Sequence, residues 1–513
     1  MSGVVRLGKS WPGKSGPPEH PAIWHMLDVG AVAKTICERS SLTGSYAQDQ
    51  ALCALVALHD IGKISNSFRD MLRHSSQQKW RHWEHSGWLL REFDGLIGDC
   101  LGGNEFLRRD LVEAVAGHHG GPREIPDPHK RNQQRRDIGE SAITDARSIV
   151  KKVLGLFPDA SLDEMSRPQG KAISWILNGL TVKADWVGSN PDWFPSEAAE
   201  FQLIDYWVVA KKRAVEALEA AGLDEAKPSI DSAKQILPAS FELRPMQTTA
   251  LECSVPAGPT LAIIEDSTGS GKTEASLMLA SRFMELDKAH GIFFALPTMA
   301  TANAMIDRLE IAASALFATP YSLALSHGRA KYSDTFRRLQ STAKSNPESG
   351  PHCGPWLADD RRKVLLADIG VGTIDQALLA VLPTRFNGLR LKALARKVLI
   401  VDEAHSYEPY IQAQLERLLM FHARLGGSAI VMTATLPIAM KSSLIKSFNI
   451  GLERERPIDR GRNRQNDPGS QINQPYPALT TVSREVSVAK VSPAPSTVRC
   501  VKIEHLSSVD QAT

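Results

Sequence analysis

The sequence predicts a multidomain chain in which an all-α domain is followed by an α/β domain with a parallel sheet and a phosphate-binding loop. Three observations predict it. Apolar residues recur at three- and four-residue spacing through roughly residues 20–220, the period of helices packed on one face. Later in the chain, short apolar runs alternate with helical stretches, the pattern of strands joined by crossover helices. The string EDSTGSGKTE directly follows the first of those runs, which sets a glycine-rich turn between a strand and a helix.

In the helical domain, assigned to residues 1–225, three sets carry the period. They are Leu52, Leu55, Val56 and His59; Leu111, Val112, Val115 and His119; and Ile173, Ile176, Leu177 and Leu180. The polar stretch Pro122–Asp137, with Lys130, Arg131, Arg135 and Arg136, is expected to be a solvated loop, with phosphate contact as the alternative. Residues 226–238 contain Pro and Lys and read as a linker. The α/β domain is assigned to residues 239–450, with strands at Leu261–Ile264, Gly291–Leu296 and Val398–Val401. Residues 451–513 read as a polar linker, with the start of a truncated second α/β lobe as one option. Within them, residues 453–477 are rich in Arg, Asn, Gln and Pro and are expected to be disordered. Short alternating runs such as Val498–Ile503 are expected to give one or two strands.

A length of 513 residues suits two to four domains. The net charge is only +3, so any nucleic-acid surface has to be local rather than a chain-wide basic field. Cys37, Cys53, Cys100, Cys253, Cys353 and Cys500 form no CxxC pair, which argues against a zinc ribbon and fits a reducing compartment. The N-terminus has no apolar signal core, and no apolar run is long enough to span a bilayer. These features point away from secreted disulfide scaffolds and membrane proteins, toward a cytoplasmic chain.

The helical domain carries a constellation of ligating residues. His59 and Asp60 stand together in LHDIGK, and Lys63 follows three and four residues later, so the three can share one helix face. His25 lies in HPAIWHMLDVG, His82 and His85 in RHWEHSGWLL, His118 and His119 in VAGHHG, and Asp185 in VKADWVGS. A lone histidine on an apolar face is more often a packed core residue than a ligand. The ordered set is another matter, because a helical bundle can point such groups at one centre. Two divalent ions held there would clamp a phosphodiester, with Asp60 as ligand and Lys63 on a phosphate oxygen.

The α/β domain carries a second constellation. In EDSTGSGKTE, residues Thr268, Gly269, Ser270 and Gly271 form a loop whose backbone can approach phosphate oxygens, Lys272 reaches the outer phosphates, and Thr273 binds magnesium. Asp266 and Ser267 stand where small or Pro residues are usual, and a carboxylate there would oppose a triphosphate. A second strand ends in VLIVDEAH, where Asp402 would hold magnesium through water, Glu403 polarise the attacking water and His405 link the nucleotide to the rest of the domain.

The first constellation resembles the HD superfamily of metal-dependent phosphohydrolases, and the second the first RecA-like lobe of a superfamily-two DEAH-box motor. The HD pattern sets a small residue four positions after one ligand, which fits His82 with Ser86 and leaves His85 as the fallback. In such a motor Gln247 of FELRPMQ reads adenine, and Thr433 and Thr435 of MTATLP couple hydrolysis to movement. Thr298 of LPTMATANAM and Thr373 of VGTIDQALL contact a nucleic-acid backbone, although threonines at strand ends are often only helix caps.

Together the two engines resemble the nuclease–helicase family of type I CRISPR interference over about residues 15–450. The resemblance implies ATP-driven 3′ to 5′ movement on single-stranded DNA opened by an RNA-guided surveillance complex. It also implies cutting by an HD centre loaded with two divalent transition metal ions. The family carries a second motor lobe after the TAT motif, and no QxxGRxxR-like string follows Thr435 here. The polypeptide alone is therefore not expected to unwind DNA processively, and a separate chain supplying that lobe is one expected partner. Two other functions fit the same residues: a nucleotide phosphohydrolase fused to an unrelated motor lobe, and a catalytically silent module that binds DNA or the surveillance complex.

Overall fold

Helices form in the first half where an apolar stripe meets a cap. Ser45, Asn104 and Ser166 accept hydrogen bonds from the N–H groups of Gln48, Leu107 and Gln169, which satisfies donors that the helix itself leaves free. The computed structural model describes residues 3–14, 18–120, 128–230, 232–327, 362–453, 475–483 and 485–493, with 330, 333, 335–339, 353 and 355–359 between them.

The helical half runs α1 (Gly3–Ser10), a short ribbon of β1 (Pro12–Lys14) and β2 (His20–Pro21), α2 (Ala22–Arg39), α3 (Tyr46–Val56), α4 (Asn66–His74), α5 (His82–Glu92) and α6 (Asp94–Leu101). It continues with α7 (Glu105–Ala116), α8 (Pro128–Ile138), α9 (Glu140–Leu154), α10 (Arg167–Gly188) and α11 (Leu203–Ala220). In α2 every residue from Ala22 to Ala33 is buried, so this helix is the axis around which the others pack.

Two local expectations are corrected. α3 ends at Val56, and a turn leads into the 3-10 helix Ile61–Lys63, so His59, Asp60 and Lys63 do not share an α-helical face. The turn brings Lys63 to Asp60 by a tighter route. The basic stretch expected as a loop is helical from Pro128 onward, and its first residues lie outside those described. It is held by three inward groups at helical spacing: Gln134, which donates to the Glu84 carbonyl, Asp137, which bonds His85, and buried Ile138.

The second half contains α12 (Pro245–Glu252), β3 (Leu261–Glu265), α13 (Lys272–Glu285), β4 (Gly291–Leu296), α14 (Met299–Ala312) and β5 (Leu323–Ser326). It goes on with α15 (Pro355–Ala358), β6 (Ile369–Thr373), α16 (Ile374–Leu378), α17 (Asn387–Ala395), β7 (Lys397–Val401), α18 (Pro409–Arg424), β8 (Ala429–Thr433) and α19 (Ile438–Leu452). β9 (Ala478–Val482) and β10 (Val486–Lys490) close the described chain. The sheet order is β10-β9-β3-β8-β7-β4-β6-β5. Strands β3 to β8 are parallel neighbours, whereas β9 runs antiparallel to β3 and β10 to β9.

The three strands expected from apolar runs form as β3, β4 and β7. The sheet extends beyond residue 450, because β9 and β10 complete its edge; Val498–Ile503 and most of the polar stretch 453–477 lie outside the described residues. The stretch expected as a linker is packed at several of its described residues. Pro228 bridges to Phe317, the Ala226 N–H donates to Asp368 at 3.3 Å, and Ala233 and Ile236 are buried.

The halves meet along α10 and α17. A Cβ on Gly179 would collide with the Gly388 carbonyl, so glycine permits backbone-to-backbone contact there. The Trp175 and Phe421 rings lie 4.2 Å apart, and the buried apolar side chains of both halves form one connected cluster. Among the described residues, no helix is long and apolar enough to cross a membrane.

Candidate metal centre and nucleotide site

Separate elements bring the ligating side chains to one point. α2 carries His25, the turn after α3 carries His59 and Asp60, α5 carries His82, the turn after α7 carries His118 and His119, and α10 carries Asp185. They fall into two groups: Asp60, His82, His118 and His119, and His25, His59 and Asp185. Within each group the ligand atoms lie within 4.8 Å of one another. Asp60 joins them. Its Oδ2 is 3.2 Å from His25 Nε2 and 3.5 Å from His59 Nε2, and its Oδ1 is 3.4 Å from both His82 Nε2 and His118 Nε2. Asp185 Oδ1 closes the second group at 3.6 Å from His59 Nε2 and 3.7 Å from His25 Nε2.

Backbone carbonyls fix the ring orientation. A carbonyl only accepts, so His59 Nδ1–H donates to Val56 at 3.1 Å and His118 Nδ1–H to Val115 at 2.9 Å, which turns each Nε2 lone pair toward the centre. His59 Nε2, His118 Nε2 and Asp60 Oδ1 are buried without a hydrogen-bond partner among the described residues. Such atoms are rarely left unsatisfied, and this imidazole and carboxylate set suits a divalent cation. Lys63 Nζ stands 2.8 Å from Asp60 Oδ2. Of the two candidates on α5, His82 faces the centre, 3.0 Å from His119 Nε2, whereas His85 is engaged by Asp137 at 2.8 Å and Ser67 at 3.3 Å. The Ser86 hydroxyl accepts from the Gly62 N–H at 2.9 Å and ties α5 to the turn bearing Lys63.

The electrostatics suit ligation. Burial and the Lys63 ammonium hold His25 well below the usual imidazole range. Burial brings His82 to about 3, and burial with the His118 charge brings His119 to about 4. Lowered imidazole pKa values favour the uncharged ring, the form that ligates a metal. Burial works to raise the carboxyls, but Lys63 and the imidazoles prevail for Asp60 and His59 prevails for Asp185, so both sit well below the usual range. For His118, burial disfavours the charge, yet the nearby Asp60 and Asp185 carboxylates raise its pKa.

In the second half, the chain leaves β3 through a loop with Gly269 and Gly271 at φ 80° and 89°, then enters α13 at Lys272. Thr268, Lys272, Thr273, Asp402, Glu403 and Gln247 line a cavity of ≈ 450 Å³. Lys272 Nζ donates to the Asp266 and Ser267 carbonyls at 2.8 and 2.9 Å, and burial lowers its pKa. Ser270 is buried at the base of the loop. The Asp266 carboxylate accepts from the Ser267 N–H at 2.7 Å, and it lies near enough to the loop to act on the Lys272 charge. Glu403 N–H donates to Asp402 Oδ1 at 2.9 Å. His405 Nδ1 lies 3.2 Å from Glu403 and 2.8 Å from Thr433 Oγ1, which itself donates to the Thr435 carbonyl at 2.8 Å. This line runs from the cavity toward the end of β8.

The two threonines expected at a nucleic-acid backbone stand at the starts of α14 and α16. Thr298 Oγ1 accepts from the Thr301 N–H at 3.2 Å as the cap of α14, and Thr373 is buried at the start of α16. Sequence reasoning passed over Arg244, which donates to the Gly269 carbonyl, and Arg308, which lies 3.5 Å from Thr273 Oγ1 and pairs with Glu274. Arg244 stands three residues before Gln247, and that adjacency was the available signal; Arg308 carried none.

Residues 7–194 match the family described as Cas3, HD domain, and residues 244–442 the family described as DEAD/DEAH box helicase. The CRISPR-associated endonuclease/helicase Cas3 of Escherichia coli (strain K12) is 33% identical over 484 residues, spanning 84% of this chain and 54% of that protein. The protein of the same name from Thermus thermophilus is 31% identical, spanning 97% and 55%. The crystal structure of T. fusca Cas3-ADP superposes with a TM-score of 0.79 at 25% identity, covering 93% of this chain and 56% of the other. The chain spans about half the length of the curated relatives it matches.

Proposed function

The chain belongs to the Cas3 family of CRISPR-associated nuclease/helicases, and from that premise we propose that it cuts single-stranded DNA in type I CRISPR defence, with ATP driving its motor. The observation that carries this reading is the pair of ligand groups joined by Asp60. Two divalent ions held there, of the transition series that imidazole favours, would supply Lewis-acid charge to a phosphodiester. His25, His59, His82, His118, His119, Asp60 and Asp185 hold them, and Lys63 meets a phosphate oxygen. In the nucleotide cavity, Lys272 and the loop 268–271 bind the phosphates of Mg-ATP, and Thr273 and Asp402 hold the magnesium. Glu403 orients water, Gln247 reads the adenine, and His405, Thr433 and Thr435 couple hydrolysis to movement. Thr298 and Thr373 lie on the segments assigned to the DNA backbone.

The DNA is opened by an RNA-guided surveillance complex, so the guide supplies sequence choice. Translocation belongs to an assembly in which a second motor lobe, on this or a separate chain, closes the nucleotide cavity. A cytoplasmic location accords with this substrate and with the free cysteines among the described residues.

The test uses circular single-stranded DNA without ATP, with manganese, magnesium or a chelator, and with Asp60→Ala and Lys272→Ala alongside. Metal-dependent cutting is expected, lost in Asp60→Ala and kept in Lys272→Ala. A folded, metal-loaded protein that leaves the circles intact would sink the nuclease reading.

A further inference from the structure

We propose that Arg385, in the α/β half, is a positioning residue for the metal centre of the helical half. The proposal rests on the reading that the His and Asp cluster binds divalent ions. Arg385 Nη2 donates to the His119 carbonyl at 3.2 Å. The next residue, Gly120, has φ +118°, and a Cβ there would lie 3.1 Å from Arg385 Nε and 3.3 Å from Arg385 Cβ. The arginine stem therefore occupies the space that a side chain at residue 120 would need. The turn bearing His118 and His119 is held from inside by the Val115 carbonyl and from outside by Arg385.

The backbone around Arg385 is shaped for this contact. Phe386 sits at φ 61°, a left-handed conformation that a bulky residue adopts only where its surroundings enforce it. Its ring lies 5.5 Å from Trp186, which follows the ligand Asp185. Gly388 then abuts Gly179 of α10, and Asn178 donates to the Ala114 carbonyl of α7 at 2.8 Å. The segment 385–388 thus leans on the helix carrying Asp185 and on the turn after α7. It is joined through residues 379–384 to α16, which starts next to Thr373.

His119 belongs to the ligand group with Asp60, His82 and His118, and among the described residues Arg385 meets His119, Gly120 and Phe386 rather than His25, His59 or Asp185. Removing the arginine is therefore expected to loosen one ion and spare the other. The full chain is titrated calorimetrically with manganese alone, and the absorption of the cobalt-loaded protein is recorded. Arg385→Ala is expected to weaken one of two binding events by roughly tenfold, the low end for groups that orient ligands, and to change the cobalt spectrum. Arg385→Lys, which keeps a donor, restores most of the affinity. Arg385→Met keeps the stem against Gly120 and behaves like Arg385→Ala if the hydrogen bond is what matters. On circular single-stranded DNA, turnover falls while the half-saturating DNA concentration stays unchanged. Arg385→Ala with both affinities and the spectrum of the wild type overturns the proposal. A wild type that binds two ions but cuts no DNA overturns the nuclease reading alone, because the affinities still decide the role of Arg385. A wild type that binds no manganese overturns both.

Discussion

His82 and His85 stand three residues apart on α5, yet their partners give them different work. His82 meets Asp60 and His119, whereas His85 is buried against Asp137. His82→Ala is expected to abolish cutting and weaken manganese binding with little change in the metal-free melting temperature. His85→Ala is expected to cost about 1–3 kcal/mol by leaving the Asp137 carboxylate short of a partner, while manganese still binds with wild-type stoichiometry; melting curves and titration separate the two. The resemblance to the HD pattern, with a small residue four positions after the ligand, pointed to His82, and in the structure that residue, Ser86, receives the Gly62 N–H. Nothing local revealed the use of His85, since Asp137 comes from a helix whose polar sequence reads as a loop. The candidate cluster was legible because the chemistry of metal binding restricts the residue types. The orienting groups were not, because any carbonyl or arginine can serve.

Three strands of the second half, β3, β4 and β7, were legible, since strands covered on both faces run as unbroken apolar segments. β9 was not, because its centre is Thr480 and Thr481, buried nonetheless against β3. Deleting residues 475–493 would leave β3 as an open edge, and such edges recruit other chains. The deleted protein is expected to elute as aggregate in size-exclusion chromatography; a monodisperse monomer would mean that the edge is dispensable. The phosphate loop has its own expected signature. Lys272→Ala is expected to lose binding of a fluorescent ATP analogue by tenfold or more, on the order of a lost charge-assisted contact, with manganese binding unchanged.

The two halves share one apolar cluster, so metal bound in the first should be felt in the second. At a hundredfold excess over its dissociation constant, one ion stabilises the folded state by about 2.7 kcal/mol. Scanning calorimetry is expected to show a single main transition that moves upward with manganese and returns with chelator, and Asp60→Ala should abolish the shift. Two transitions, only one of them sensitive to metal, would mean that the halves unfold independently. The contact of Gly179 and Trp175 with Gly388 and Phe421 also bears on biosynthesis. The helix α10 leaves the ribosome long before its covering partners, and at ~5–20 residues per second it waits on the order of ten seconds or more. During that interval a nascent chain exposes the flank beside the candidate metal centre, and a chaperone or early metal capture has its opportunity then.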